Sequence, residues 1–276
     1  MGLGGHLTWT AVAEEIKKRV GDIKFIPVEQ HGNLLKFVDS EIFKHNKNFL
    51  SAFQPADSAF PLILNNPAAN YCKKDTQEKA YHRTDAHIIE QCCEVYGIKN
   101  PALRCYLNFT NQENAEIQNI IDLNIGQKDF ITIEPYSKDN YTVNRVYSFE
   151  KWQAIVDELS KDFLFVQVGN AGKTLKNTID LTGKTSFLQA VGIIGKSRLF
   201  MSAEGGLVHA ATAVDTKSLV IITGYQSEKM VAYPQNINVN ISNHGPCGLK
   251  KLCFDCQLDV EKHDWKDIVK KVRENL

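Results

Sequence analysis

Residues 199–214 read LFMSAEGGLVHAATAV, an apolar run that breaks at Glu204-Gly205-Gly206 and resumes as small residues carrying His209. The run 199–202 is short and continuously apolar, which suits a buried strand, and 207–214 suits a helix. Paired glycines weaken a helix interior but permit close backbone approach, so they fit the turn between the two elements. A helix that starts behind such a turn offers unpaired N–H groups and the positive end of its dipole, a seat for an anion such as the diphosphate of a sugar nucleotide. The same residues also fit a plain turn packing helix on sheet, with His209 a buried, hydrogen-bonded histidine.

Outward from this stretch the C-terminal half alternates. Strands are expected at 130–134, 163–168, 199–202 and 218–223, with a short one near 178–181, and helices at 149–160, 186–197, 207–214 and 265–275. Alternation implies an α/β fold with a parallel sheet and right-handed crossovers. Ligands of such sheets bind beyond the carboxyl ends of the strands. Those ends bring Pro135-Tyr136-Ser137, Gly169-Asn170, Ala203 to Gly206 and Gly224-Tyr225 to one rim.

The N-terminal half is less regular. Residues 1–6 (MGLGGH) read as a glycine turn opening a helix at 7–20, on which Glu14 and Glu15 form a solvated face. A strand is expected at 23–28, with Pro27 marking an edge or an end. Beyond it come a helix at 34–43, a strand at 60–64, a polar loop at 65–79 and a helix at 80–96 stopped by Gly97; a strand at 103–109 and a helix at 112–123 follow. Cys92 and Cys93 fall on the buried face of their helix. A boundary near 124–128 divides the chain into domains 1–124 and 125–276.

Composition narrows the function. The 276 residues are enough for two ordinary domains. Thirty-two basic and 32 acidic side chains balance to zero, which gives no general electrostatic case for nucleic acid. The sequence has no apolar run of the roughly 18 residues a spanning helix needs and no basic-then-apolar leader pattern, so a cytoplasmic protein is expected. The basic amphipathic segment 264–276 is expected to pack on the fold, with peripheral contact at the inner membrane as the sharper alternative. Seven cysteines, an odd number, read as reduced thiols. Cys247, Cys253 and Cys256 with His244 have the spacing of a four-ligand zinc site, but the reading adopted is two surface thiols and a packed third, with no metal.

Residues 204–211 (EGGLVHAA) resemble the acidic-x-Gly-x-x-His-x-Ala donor-site signature of the ADP-heptose:lipopolysaccharide heptosyltransferases, glycosyltransferase family 9. Residues 181–188 (LTGKTSFL) resemble that family's GktsL segment. Residues 219–224 (LVIITG) resemble its next strand and glycine turn, and Tyr233-Pro234 with the three late cysteines its cysteine-bearing tail. The resemblance covers most of 80–276. It implies a GT-B-like architecture: two Rossmann-like domains facing a cleft, the N-terminal one reduced and on the acceptor side, the C-terminal one holding the donor. It further implies inverting transfer of a heptose or related sugar from a nucleoside-diphosphate donor, ADP-heptose foremost, to a glycan or lipid-linked acceptor such as lipopolysaccharide core, with no cofactor.

Roles follow from the same resemblance. The family carries a donor-diphosphate lysine seven residues before the aromatic position held here by Trp152, and Arg145 stands at that spacing. A guanidinium there would stabilise the departing diphosphate bidentately. Glu204 replaces an aspartate and is assigned to sugar hydroxyls or to capping its helix. Gly5 stands where the family has an aspartate base, leaving the adjacent His6 as substitute, or else as a turn histidine facing solvent. The implied site is His6 and Arg145 for catalysis, with Ser137, Arg145, Asn170, Glu204, Gly205, Gly206 and His209 on the donor. The family resembled has an apolar first strand before this turn; the lack of that strand here, with Gly5, favours a second reading, a sugar-nucleotide-binding or accessory protein, and an epimerase or hydrolase is a third.

Overall fold

The structure, a computed structural model, describes residues 2–52, 59–69, 83–136 and 141–276. The chain opens with α1 (Leu3–Val20), followed by β1 (Phe25–His31), β2 (Leu34–Phe37), α2 (Glu41–Lys44) and β3 (Phe60–Ile63). Two helices come next, α3 (Ile88–Glu94) and α4 (Asn111–Asn124). Strand and helix then alternate through β4 (Phe130–Glu134), α5 (Phe149–Leu159), β5 (Leu164–Gln167), β6 (Thr178–Asp180), α6 (Phe187–Ile194), β7 (Leu199–Ala203), α7 (Gly206–Ala213), β8 (Ser218–Ile222), α8 (Glu228–Val231) and β9 (Ile237–Asn240). Helices α9 (Phe254–Lys262) and α10 (Lys266–Asn275) close the chain.

The expected parallel sheet is present, with order β6-β5-β4-β7-β8-β9 and every neighbouring pair parallel. Side chains alternate across it. Phe130, Val166, Phe200, Val220 and Ile222 join one apolar cluster, while Ile131, Ile133, Phe165, Leu199, Met201, Leu219 and Ile221 join another on the opposite face. The first cluster also takes in Leu7, Trp9 and Val12 of α1 and Phe25 of β1, so the N-terminal elements share that core. The second is covered by Trp152 and Ile155 of α5 and by Ile268, Val269 and Val272 of α10, which packs on the fold as expected. From β4 the strand order runs one way through β5 and β6 and the other through β7 to β9, so a topological switch point lies between the carboxyl ends of β4 and β7.

Five N-terminal expectations are corrected. Helix α1 begins at Leu3 with Gly2 as its N-cap, so Gly4, Gly5 and His6 lie inside the helix and not in a turn. Residues 34–43 are not one helix: Gly32, at φ 61°, turns β1 into a hairpin with β2, and α2 starts only after Ser40, whose hydroxyl caps it. Pro27 sits in the central strand of the order β2-β1-β3, tolerated because the ladder to β2 begins at Val28. Of the helix expected at 80–96, 80–82 lie outside the described residues, and α3 starts at Ile88, where His87 and Glu90 form a capping box. Residues 103–109 form no strand. Their backbone is satisfied by hydroxyls, Thr212 Oγ1 accepting from Cys105 N at 3.1 Å and Thr10 Oγ1 from Tyr106 N at 2.9 Å, so the segment is threaded between α7 and α1. In the C-terminal half β9, α8 and α9 were missed, because short or polar segments show no clear periodicity: β9 reads INVN and α8 reads EKMV.

Candidate active site

The switch point collects charge. Arg145, at the end of a 3₁₀ turn (Val143–Arg145) after β4, donates from Nε to Glu204 Oε1 at 2.6 Å, and its Nη2 lies 2.5 Å from the same oxygen. The guanidinium also stands over the Tyr225 ring, 5.9 Å from its centroid. Two residues that sequence reasoning assigned separately to phosphate and to sugar thus form one enclosed pair, with side-chain exposures of 16% and 5%. Glu204 does not cap α7: the N-cap is Gly205, with no side-chain hydrogen bond to the helix, and the carboxylate turns to Arg145.

Beside the pair, at the end of β4, lies Glu134, which sequence reasoning missed. Burial drives its carboxyl up to about 8, against opposing pulls from the Ser202 hydroxyl and the Arg145 charge. A Cβ at Gly169 would come within 3.1 Å of Glu134 Oε1, so the glycine after β5 leaves the carboxyl its room. The signal available was an acidic residue closing a strand at the ligand rim. At neutral pH Glu134 is largely protonated and can donate a hydrogen bond.

A second feature sits against this one. A Cβ on Gly4, the second residue of α1, would lie 2.9 Å from Gly206 Cα, at the first residue of α7. Two helix N-termini therefore meet, each carrying N–H groups with no intrahelical acceptor. Gly205 is extended, at φ 175°, and a Cβ there or at Gly206 would meet only ordinary contacts, 3.9 Å from Ala203 O and 3.6 Å from Gly4 Cα, so close approach requires glycine at Gly4 alone. His209, one turn into α7, holds the Tyr233 hydroxyl through Nδ1 at 2.6 Å; burial and then the nearby Arg145 charge lower its pKa to about 4. Tyr233 is fully buried and meets the His87 ring edge-on at 4.7 Å. Burial, then His209, brings His87 down to about 3.

His6 is not brought to the Arg145–Glu204 pair. Its ring lies against Phe43, Nδ1 is 2.9 Å from Ser40 Oγ, and 8% exposure replaces the solvent-facing turn considered above. Burial is the largest influence on its pKa, which is lowered from that of a free imidazole. Asn170 stands exposed on the loop after β5. Ser137 lies outside the described residues. Glu15 is no solvated face: at 5% exposure it takes Lys18 Nζ at 2.7 Å and Arg19 Nη1 at 2.9 Å. Cys92 and Cys93 are buried as expected; Cys253 and Cys256 are buried too, and only Cys247 is partly exposed, which reverses the expected two surface thiols.

The family model for glycosyltransferase family 9 (heptosyltransferase) matches residues 94–255. The chain belongs to this family. Among solved structures it is similar to the family 9 glycosyl transferase from Veillonella parvula, at 11% identity and TM-score 0.63, covering 87% of this chain and 82% of that one. E. coli heptosyltransferase WaaC with ADP matches at 10% identity and TM-score 0.60, covering 100% and 98%. E. coli ADP-heptose lps heptosyltransferase II matches at 13% identity and TM-score 0.53, covering 68% of this chain. The chain spans 61% of that last protein's length. These likenesses are of fold, which is GT-B-like, as expected for family 9. No curated protein matches. Among the described residues of this family 9 chain, no helix is long and apolar enough to cross a membrane.

Proposed function

We propose that this chain is a glycosyltransferase that binds a nucleoside-diphosphate sugar at the β4/β7 switch point, ADP-heptose being the favoured donor. The observation that carries the reading is the meeting of two helix N-termini at Gly4 and Gly206, in the same fold as the Arg145–Glu204 pair. Unpaired N–H groups and dipole ends favour an anion, and an adjacent guanidinium can take charge developing on a leaving diphosphate. Support for an adenine nucleotide comes from WaaC, solved with ADP. Residues 125–276 form the donor side and 1–124 the acceptor side, meeting along α1 and α7. Arg145, paired with Glu204 at the switch point, contacts the diphosphate. Glu204 faces the sugar hydroxyls, His209 orders the turn through Tyr233, and Asn170 borders the donor. The acceptor is a hydroxyl on a glycan such as lipopolysaccharide core.

Calorimetry with ADP, GDP, UDP and CDP tests the donor site. Loss of a charge-assisted contact predicts that Arg145→Ala weakens the preferred nucleotide by about 10- to 100-fold. A folded protein that binds none of the four overturns the reading. The burial of His6 away from Arg145 favours one alternative, a sugar-nucleotide-binding protein without turnover. It would be established by tight ADP-heptose binding with no transfer or hydrolysis detected by mass spectrometry.

A further inference from the structure

The late cysteines lie outside the switch-point cluster. The loop after β9 and the start of α9 bring four soft donors together. His244 Nε2 lies 3.5 Å from Cys256 Sγ and 3.9 Å from Cys253 Sγ, and Cys256 Sγ lies 3.4 Å from Cys247 Sγ. The donor atoms of His244, Cys253 and Cys256 all fall within 4.8 Å of one another. A tetrahedral ion with metal–sulfur bonds of about 2.3 Å and metal–nitrogen bonds of about 2.0 Å sets its donors roughly 3.5–3.8 Å apart. The sulfurs are too far apart for a disulfide, whose bond is about 2.05 Å.

A second observation is independent of the sulfurs. The other ring nitrogen of His244, Nδ1, is 2.8 Å from Asp259 Oδ2. That carboxylate is itself held by Asn243 through its backbone N–H at 3.1 Å and its amide at 3.2 Å. A histidine whose far nitrogen is fixed by a carboxylate while the near one faces thiols is how metal-ligating histidines are oriented. Space has been kept for the group as well: a Cβ at Gly224 would strike His244 Cε1 at 2.8 Å and Cys256 Sγ at 2.9 Å.

We propose that His244, Cys247, Cys253 and Cys256 bind one tetrahedral metal ion of the zinc or ferrous-iron class, selected by three thiolates and an imidazole. The ion is structural, since four protein ligands leave no open position. It knits the loop after β9 to the N-terminus of α9 and, through them, the turn carrying Arg145. Asn144 accepts from Cys253 N at 2.9 Å and donates to the carbonyls of Leu249 and Lys251, each at 2.7 Å.

The test is metal analysis of the purified full chain by plasma mass spectrometry, after growth with zinc and iron, followed by stripping under reducing conditions and titration with cobalt(II). The expected result is one equivalent of zinc or iron per chain, and a thiolate-to-cobalt charge-transfer band with tetrahedral d–d absorption. Cys253→Ser and His244→Ala should lose the ion, Asp259→Asn should weaken it about 10- to 100-fold, and Cys105→Ser, buried elsewhere, should keep it. Less than about a tenth of an equivalent together with no cobalt band overturns the proposal, as does full metal content in the Cys253→Ser/Cys256→Ser double variant. Should the cysteine variants fail to fold, the wild-type cobalt spectrum and the more exposed His244→Ala variant still decide the question.

Discussion

Arg145 and Glu204 meet where neither is well solvated, and truncating the arginine removes the charge that compensates the Glu204 carboxylate. Arg145→Ala is expected to lower the unfolding free energy by roughly 3 kcal/mol, the low end for a buried pair because the arginine keeps some solvent contact. Adding Glu204→Gln should recover part of the loss, which urea unfolding of the two variants measures. Three further side chains set a pH dependence. Glu134, raised from 4.5 to about 8, binds a proton in the folded chain that the unfolded chain has released, so it makes stability fall as pH rises across that window. His87 and His209, lowered from 6.5 to about 3 and about 4, stay neutral while the unfolded chain takes up two protons, so they make stability fall as pH drops below 6.5. Two groups outweigh one on the acid side, and these residues together place the stability maximum near pH 6.5. Thermal melts of Glu134→Gln should lose the decline between pH 6.5 and 8; an unchanged profile would refute the assignment. His209 and Glu204 were visible in their motif. Glu134 was signalled only as an acidic residue closing a strand at the ligand rim, and nothing local in FITIE tells that its carboxyl is shielded from water.

Among the elements, the crossing of α1 on α7 is the contact most sensitive to a single methyl. Helix propensity alone predicts that Gly4→Ala stabilises by about 1 kcal/mol. The Cβ of an alanine at this position would lie 2.9 Å from Gly206 Cα, a backbone atom, so the clash cannot be relieved by a rotamer change. Gly4→Ala is therefore expected to destabilise by about 1–3 kcal/mol, and the sign of the shift in urea midpoint tells the two apart. The segment 103–109 yields a second expectation. Thr10→Val and Thr212→Val each strip the acceptor from a backbone N–H of Tyr106 or Cys105, and each should cost about 1–3 kcal/mol by denaturant titration. The alternation of this segment was read as a strand because apolar spacing shows which side chains are buried, not what pairs the backbone. The helix expected at 34–43 failed for a related reason: Leu34 and Leu35, 75% and 51% exposed, mimic a buried face in sequence while lying in an exposed hairpin strand.

For the whole molecule, the proposed donor site makes stability and ligand one equilibrium. A nucleoside diphosphate at about 100 times its dissociation constant should add about 2.7 kcal/mol to unfolding, seen as a rise in melting temperature. Slowed amide exchange should appear at both helix starts, around Gly4 and Gly206, and protection at Gly206 alone would remove α1 from the site. The C-terminal half of the fold was legible in the chain itself. Alternating apolar strands and capped helices, with turn glycines after β7 and β8, are local patterns, and a parallel sheet with its ligand rim follows from their order. The spacing of His244 and the three late cysteines was legible in the sequence as well. The meeting of Gly4 with Gly206, the pairing of Arg145 with Glu204 and the partial burial of Glu134 belong to the tertiary structure alone. Each joins residues by a distance that depends on how the layers pack, and no pattern along one chain encodes the separation between two surfaces until both are folded.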